Sequence, residues 1–491
     1  MGKLAIGFGG GARRAGVRRR TARRVGLALV ALWAGTGAWH VAKPLPEGLS
    51  REGEYRGARG VRFWRDATRQ GENGEPRAEQ QVFDRVLELV VGAERILVLD
   101  MFLFNDHLGA ATNAYRKLSG ELAEAIERRM SERPGLECWF ITDPINGVYG
   151  GQPSATLGRL EKSGVKVVET RLERLRDSNP AYSALWRLAF RHWRGEWGPR
   201  LPNPFGGGTV PLASYLELMN FKANHRKTVV ADRGGELVGM VLSANPHDGS
   251  SLHHNVGIEF GGAAAEDLLA TEAAACAAAG AEPPRNPLPP AGEEGGAVRL
   301  RVLTEGAVGR ACIELIDGAG AGDELEMATF YLSSRAVVEA LKRAQGRGVR
   351  TRALLDPNRD AFGREKNGIP NRPVAAELAA AGIEVEWADT HGEQYHAKLL
   401  WRGSAGGQAT AILGSANHTR RNLDDYNMET SVQVAGPSEE EPLKQIRGYL
   451  DEMREERGGR SIAVEYEKYA DPSRGRRWLY RFQEATGLST F

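Results

Sequence analysis

Polar and apolar positions divide this chain sharply near residue 25. Residues 1–24 carry Lys3 and seven arginines and no acid, whereas residues 25–42, VGLALVALWAGTGAWHVA, are almost uncharged. That length lies at the short end of the roughly 17–25 residues that cross a bilayer as a helix. Arginines on one side predict a cytoplasmic N-terminus, with the rest of the chain on the outer, periplasmic face. The small residues AGTGA at 34–38 offer a competing reading, a cleaved signal peptide and a secreted product. Further on, short apolar runs alternate with segments whose apolar residues recur every three or four positions. ERILVLDMFLFND (94–106), CWFITDPINGVYG (138–150) and SGVKVVE (163–169) have strand length, and GELAEAIERRM (120–130) has a helical period. The same order returns in DELEMATFYLSS (323–334), SRAVVEALKRAQGRG (334–348), TRALLDPNRDAFG (351–363) and AGIEVEW (381–387). Such alternation predicts an α/β fold.

The recurrence keeps a nearly constant offset. KANHRKTVVADR (222–233) and GEQYHAKLLWRG (392–403) each contain His-x-Lys; His225 precedes His396 by 171 residues, and Lys227 precedes Lys398 by the same 171. Ser243 and Asn245 of one Ser-Ala-Asn precede Ser415 and Asn417 of the other by 172, and Glu259 precedes Glu429 by 170. Matched elements in one order predict a tandem duplication. The expected division is a basic N-terminus with its apolar segment (1–43), a first half (55–263), a linker rich in Ala, Pro and Gly (264–297), a second half (298–440) and a helical tail (441–491). The first half carries an insertion, about 171–219. One asymmetry lies inside the motif: Asp232 follows Lys227, but Gly403 stands where the second acid would fall. In a strand, such a position is about 16 Å beyond the lysine, so the acid is expected to brace a strand end.

Composition narrows the function. With 491 residues, 26% charged and a net charge of +2, the chain is no strongly basic nucleic-acid binder. Cys138, Cys276 and Cys312 are far apart and form no metal-knuckle or disulfide pattern.

The matched residues suit phosphoryl chemistry. One neutral imidazole can attack phosphorus, and a second, protonated, can hand its proton to the leaving alcohol. Lys227 and Lys398 supply fixed positive charge, so the set calls for no metal or cofactor. Asn245, Asn417, Ser243 and Ser415 can donate to phosphate oxygens. Glu259 and Glu429 are expected to accept from the far imidazole nitrogens.

Paired His-x-Lys segments with Ser-x-Asn and a following acid resemble the phospholipase D superfamily. His225, Lys227 and Asp232 form its full H-x-K-x-x-x-x-D pattern, and DPNRDAFGREKNGIPNRPVAAEL (356–378) is similar to bacterial members. The resemblance implies two α/β halves sharing one site, a covalent phosphohistidine and no metal. It also implies His225 as nucleophile and His396 as acid/base. A phospholipid substrate, hydrolysis or cardiolipin synthase-like transfer, a membrane surface as partner, no nucleic acid and a monomer follow as expectations. A superfamily nuclease and an inactive lipid-binding scaffold are the alternatives.

Other residues have quieter readings. Asp143 and Asp356, each before proline, read as strand-end turn residues. His247, His253, His254, His391 and His418 read as loop histidines, and Arg421 as a phosphate contact or a support for one. Within the insertion, Trp186, Trp193 and Trp197 interleave with Arg187, Arg191 and Arg194, which suits a membrane interface or a helix packed on the body.

Overall fold

The computed structural model describes residues 10–71, 73, 75–109, 115–193, 197–292, 295–361, 364–456 and 461–491. Residues 1–9 of the basic N-terminus and Arg194 of the insertion lie outside the described residues. Two large sheets carry the chain. From edge to edge the first runs Pro76–Gln80, Arg62–Gln70, Asn255–Gly261, Glu236–Leu242, Lys227–Arg233, Ile96–Met101, Glu137–Thr142 and Lys166–Glu169. In the second, Arg299–Thr304, Thr430–Pro437, Gln408–Gly414, Lys398–Gly403, Glu324–Thr329, Arg350–Leu355 and Glu384–Ala388 repeat the last seven of these in the same order. In each sheet the strand bearing the motif lysine is antiparallel to both of its neighbours. The sequence alternation is thus a duplicated mixed sheet.

Side-chain alternation sets the layers. In Ile96–Met101, Val98 joins the core between the sheets, whereas Leu97 and Leu99 join the core under the helices outside. Lys398–Gly403 behaves likewise, with Leu399 inward and Leu400 outward. Burial on both faces is why these strands read as unbroken apolar runs. Outside, Gln81–Gly92 buries Val82, Val86, Leu89 and Val90 on the first sheet, and Arg335–Gly346 buries Val337, Val338, Leu341 and Ala344 on the second.

Between the sheets, Val98, Val230 and Ile258 of one half share a single core with Val302, Leu399 and Val432 of the other. The halves are therefore fused across a common interior. Helix Ala263–Ala279 lies in that layer and buries Ala264, Ala265, Leu268, Leu269, Ala275 and Cys276. The head of the expected linker is a core element, because its small alanines allow close packing between sheets.

Asp232 is a brace. One of its oxygens accepts from the backbone N–H of Glu94, Arg95 and Ile96 at 2.8–2.9 Å, pinning the start of Ile96–Met101. In the second half Gly403 pairs with Glu324, and the acid has moved across the ladder. Asp323 accepts from Arg402 at 2.8 Å and from the Ala405 backbone at 3.2 Å. The absent acid at 403 therefore costs the second half no brace. Asp232→Ala strands three N–H donors, so it is expected to destabilise the protein by about 3 kcal/mol in urea unfolding. A midpoint unchanged from wild type would contradict the role.

The helix Gly10–Ala42 contains one segment, Arg18–Ala42, long and apolar enough to cross a membrane. Its Val25, Leu27, Leu29, Val30 and Leu32 are exposed. Its C-terminal end touches the body: Trp33 Nε1 donates to Ala181 O at 2.8 Å, and the Asp177 backbone donates to His40 O at 2.9 Å.

Candidate active site

Each His-x-Lys segment is stitched to the opposite half before its strand begins. His225 N donates to Met428 O, and Met428 N to Ala223 O. In mirror fashion His396 N donates to His254 O, and His254 N to Gln394 O. A buried carboxylate pins each segment one residue before its histidine: Asp143 accepts from Asn224 N at 2.7 Å and Asp356 from Tyr395 N at 2.8 Å. Burial pushes their carboxyls up, to about 7 and about 6. Both aspartates are therefore turn residues at strand ends that also set the height of the histidines.

The two lysines are equivalent. Lys227 Nζ donates to His225 O at 2.7 Å and lies 5.2 Å from the Phe102 ring centre. Lys398 Nζ donates to His396 O at 2.6 Å and lies 5.2 Å from that of Phe330. Among the described residues neither has an ion pair, although both are buried. Burial lowers Lys227 to about 7, and burial together with Lys227 holds Lys398 well below the usual lysine range. Two desolvated cations without a partner make a strong site for an anion. Arg226, between His225 and Lys227, is occupied elsewhere: it pairs with Glu305 at 2.5 Å and ties the halves together.

The imidazoles differ. His225 Nδ1 meets Glu429 at 2.9 Å, and Glu429 also accepts from Ser415 and Asn422. His396 Nδ1 meets Asn255 Oδ1 at 3.2 Å. Asn255 Nδ2 in turn donates to His253 O at 3.0 Å and to Asp66 at 3.3 Å, which fixes its oxygen toward the ring. Glu259, expected to orient a histidine, is elsewhere. It pairs with Arg85 at 2.6 Å and accepts from Trp64 Nε1 at 3.1 Å. The serine contacts explain the error. Ser415 Oγ accepts from Thr430 N and donates to Glu429, whereas Ser243 Oγ accepts from Val256 N and donates to Asn255. The counterpart of Glu429 is thus Asn255, the polar residue that opens the strand, and Glu259 is four residues too late. Pairing each serine with the polar residue just before the following apolar run would have found it.

The serines also differ from expectation. Their hydroxyls are spent on these contacts and are fully buried, so they hold the orienting groups instead of facing a ligand. Asn245 and Asn417 do face one. Both line a cavity of about 1020 Å3, and the Oδ1 of each has no partner among the described residues. His225 and His396 line the same cavity. One wall is apolar, with Leu103, Leu108, Ile145 and Leu218; another carries Arg364 and Lys366. Burial keeps both catalytic-type imidazoles neutral: His225 falls to about 4 although Glu429 opposes the shift, and His396 lies well below the usual range, with Lys398 adding to the burial.

His253 lines the cavity with its ring centre 5.7 Å from that of His396, and His247 lies nearby. His254 packs on Tyr395, and His418 Nδ1 meets Thr329 Oγ1 at 3.0 Å. His391 stands near Asp389 at 3.6 Å, outside the cavity. Among the described residues no group of three or more His, Cys, Asp or Glu could hold a metal ion.

Comparison with known proteins bears on the fold. The family model described as cardiolipin synthase, PLD-like domain, matches residues 312–454. Phosphatidylserine synthase of Haemophilus influenzae shares the fold, with a TM-score of 0.56 at 10% identity, over 89% of this chain and 96% of that one. Weaker likenesses are polyphosphate kinase of Porphyromonas gingivalis (TM-score 0.46, 13% identity, 87% and 53% covered) and the phospholipase D family member Nuc of Salmonella typhimurium (0.26, 20%, 31% and 90%). Among curated proteins no sequence matches significantly.

Proposed function

We propose that the chain is a phospholipase D superfamily enzyme, in keeping with the match of residues 312–454 to the cardiolipin synthase, PLD-like domain, and that it cleaves or transfers phosphatidyl groups of phospholipids through a phosphohistidine. The observation that carries this reading is one cavity lined by two imidazoles and two asparagine side chains from two halves, with a buried lysine hydrogen-bonded to the backbone carbonyl of each histidine. Glu429 accepts the Nδ1 proton of His225 and leaves its Nε2 lone pair for phosphorus, so His225 is the nucleophile. The bound phosphodiester brings negative charge that offsets the burial of His396 and lets its imidazole take up a proton. The N–P bond forms as the P–O bond to the head-group alcohol breaks, and the His396 imidazolium gives that oxygen its proton. Neutral His396 then takes a proton from water or a second alcohol, whose oxygen displaces His225 from phosphorus. Lys227, Lys398, Asn245 and Asn417 hold the non-bridging oxygens throughout.

The amide partner of His396 suits the acid role. A neutral carbonyl orients the ring without stabilising its charge, so the imidazolium releases its proton readily. Asn255→Asp is expected to hold the imidazolium, raise its pKa and move the alkaline limb of the pH–rate profile up by about one unit. An unmoved limb would contradict the pairing of Asn255 with His396.

Membrane association has its own support. The apolar helix ends on the insertion, where Leu185, Leu188, Trp193, Trp197 and Met219 are exposed. Trp186 is buried instead, so the insertion divides its tryptophans between body and surface. Exposed tryptophans beside a spanning helix fit the lipid–water boundary. The catalytic body then stands on the outer face, with lipid as its partner. The test is the full chain, without divalent metal, on phosphatidylglycerol, phosphatidylethanolamine and, separately, single-stranded DNA. Phosphatidic acid or cardiolipin supports the reading; cleavage of DNA alone would overturn it.

A further inference from the structure

Four arginines are buried among the described residues: Arg85, Arg226, Arg352 and Arg421. Three have carboxylate partners, Glu259 at 2.6 Å, Glu305 at 2.5 Å and Glu326 at 3.0 Å. Arg421, only 8% exposed, has none among the described residues. The carboxylate whose charge reaches it, Glu484, is engaged by Ser333 Oγ at 2.7 Å and by Arg420 N at 3.3 Å. Arg421 Nη2 donates to the backbone carbonyls of Gly487 and Ser489, Nε has no partner among the described residues, and the guanidinium lies 5.3 Å from the Phe221 ring centre. Burial lowers even this group to about 10.

A buried guanidinium costs several kcal/mol unless something compensates it. Two carbonyls and one ring hold its direction but bring no negative charge. Arg421 also lines the active cavity, four residues beyond Asn417. The matching place in the first half carries no cation: Asn245 is followed by a turn, Asp248–Ser250, whose acid is taken by Ser119, and buried Lys222, which also lines the cavity, is paired with Asp177. The Arg421 guanidinium thus has no counterpart there, while the motif lysines and asparagines come in pairs.

We propose that Arg421 is a second anion subsite of this cavity, binding a phosphate or carboxylate group of the reactant other than the phosphodiester under attack. The subsite rests on the phosphatidyl-transfer reading for its chemistry, though not for its existence. It selects an alcohol that carries an anion, whether as leaving head group or as acceptor, because the two reach phosphorus through the same alcohol position.

The experiment offers full-length protein a phosphatidylglycerol donor with glycerol, glycerol 3-phosphate or serine as acceptor. Wild type is expected to prefer at least one anionic acceptor to glycerol by about tenfold or more, and which one separates phosphate from carboxylate. Arg421→Gln collapses that ratio toward one, and Arg421→Lys keeps part of it. Equal wild-type rates for all acceptors, or a ratio unchanged in Arg421→Gln, overturn the subsite. A uniform loss on every acceptor overturns it too, by placing Arg421 on the reacting phosphate. Direct titration of glycerol 3-phosphate, glycerol and serine into wild type and both variants needs no turnover. Anion binding weakened about tenfold or more in Arg421→Gln upholds the subsite even if no lipid reacts, which would count against the transfer reading alone. Equal affinity in both proteins overturns it. If Arg421→Gln melts well below wild type, the comparison passes to Arg421→Lys, whose retained charge must keep a measurable anion preference.

Discussion

His225→Ala and His396→Ala are each expected to lower turnover by about 10⁴-fold or more, because in the proposed mechanism nucleophile and proton carrier act as one unit. The loss appears in initial rates on phosphatidylglycerol with melting temperature as control. Both histidines stand on short segments pinned by Asp143 and Asp356, so truncating either ring leaves the backbone contacts intact. A His396→Ala variant with full activity would mean that the first half works alone. An equimolar mixture of the two variants is expected to stay inactive, since both rings of one site come from one chain. Restored activity on mixing would point instead to exchange of halves between chains.

Glu429→Gln carries the second large effect. Glu429 holds Nδ1 of His225 and gathers the Ser415 hydroxyl and the Asn422 amide around it. Replacing its charge by an amide permits the wrong tautomer and is expected to cost about 10³- to 10⁴-fold in kcat. Glu259→Gln is the matched comparison. Its carboxylate binds Arg85 and Trp64 away from the cavity, so it is expected to lose about 2 kcal/mol of stability and keep kcat within about threefold of wild type. Equal loss of kcat in the two variants would restore Glu259 to the site and contradict the pairing of Asn255 with His396.

Much of the fold was legible because duplication doubles every signal. The strand runs, the Asp-Pro turns, His-x-Lys and Ser-Ala-Asn recur in order, and the structure sets the histidines and asparagines of both copies around one cavity, with each lysine bonded to the backbone of its histidine. The errors fall where the copies diverge. Matching acid to acid selected Glu259, because charge is visible in a sequence and a hydrogen-bond register is not. Asn255 is recognised only by the serine that reaches it across the neighbouring strand. The serines read as ligand donors because nothing in Ser-Ala-Asn says which hydroxyl turns inward. The acid absent at Gly403 was expected to be a strand-end brace, and Asp323 supplies that brace from 80 residues earlier, where no motif marks it. The tail is similar: Tyr480 and Glu484 of helix Arg474–Thr486 pack on the second half, and Thr490 reaches the cavity wall. No local pattern announces that contact.

The central claim is that His225 carries the phosphatidyl group in a site completed by His396. A donor whose leaving group is p-nitrophenol needs little help from an acid, so His396→Ala can still form the first N–P bond. It lacks the base for the second step, and the adduct accumulates. Peptide mass spectrometry of the variant after brief reaction is expected to find the phosphatidyl group on His225 in near-stoichiometric amount. The same adduct on another residue, or none while p-nitrophenol release continues in His225→Ala, would contradict the account.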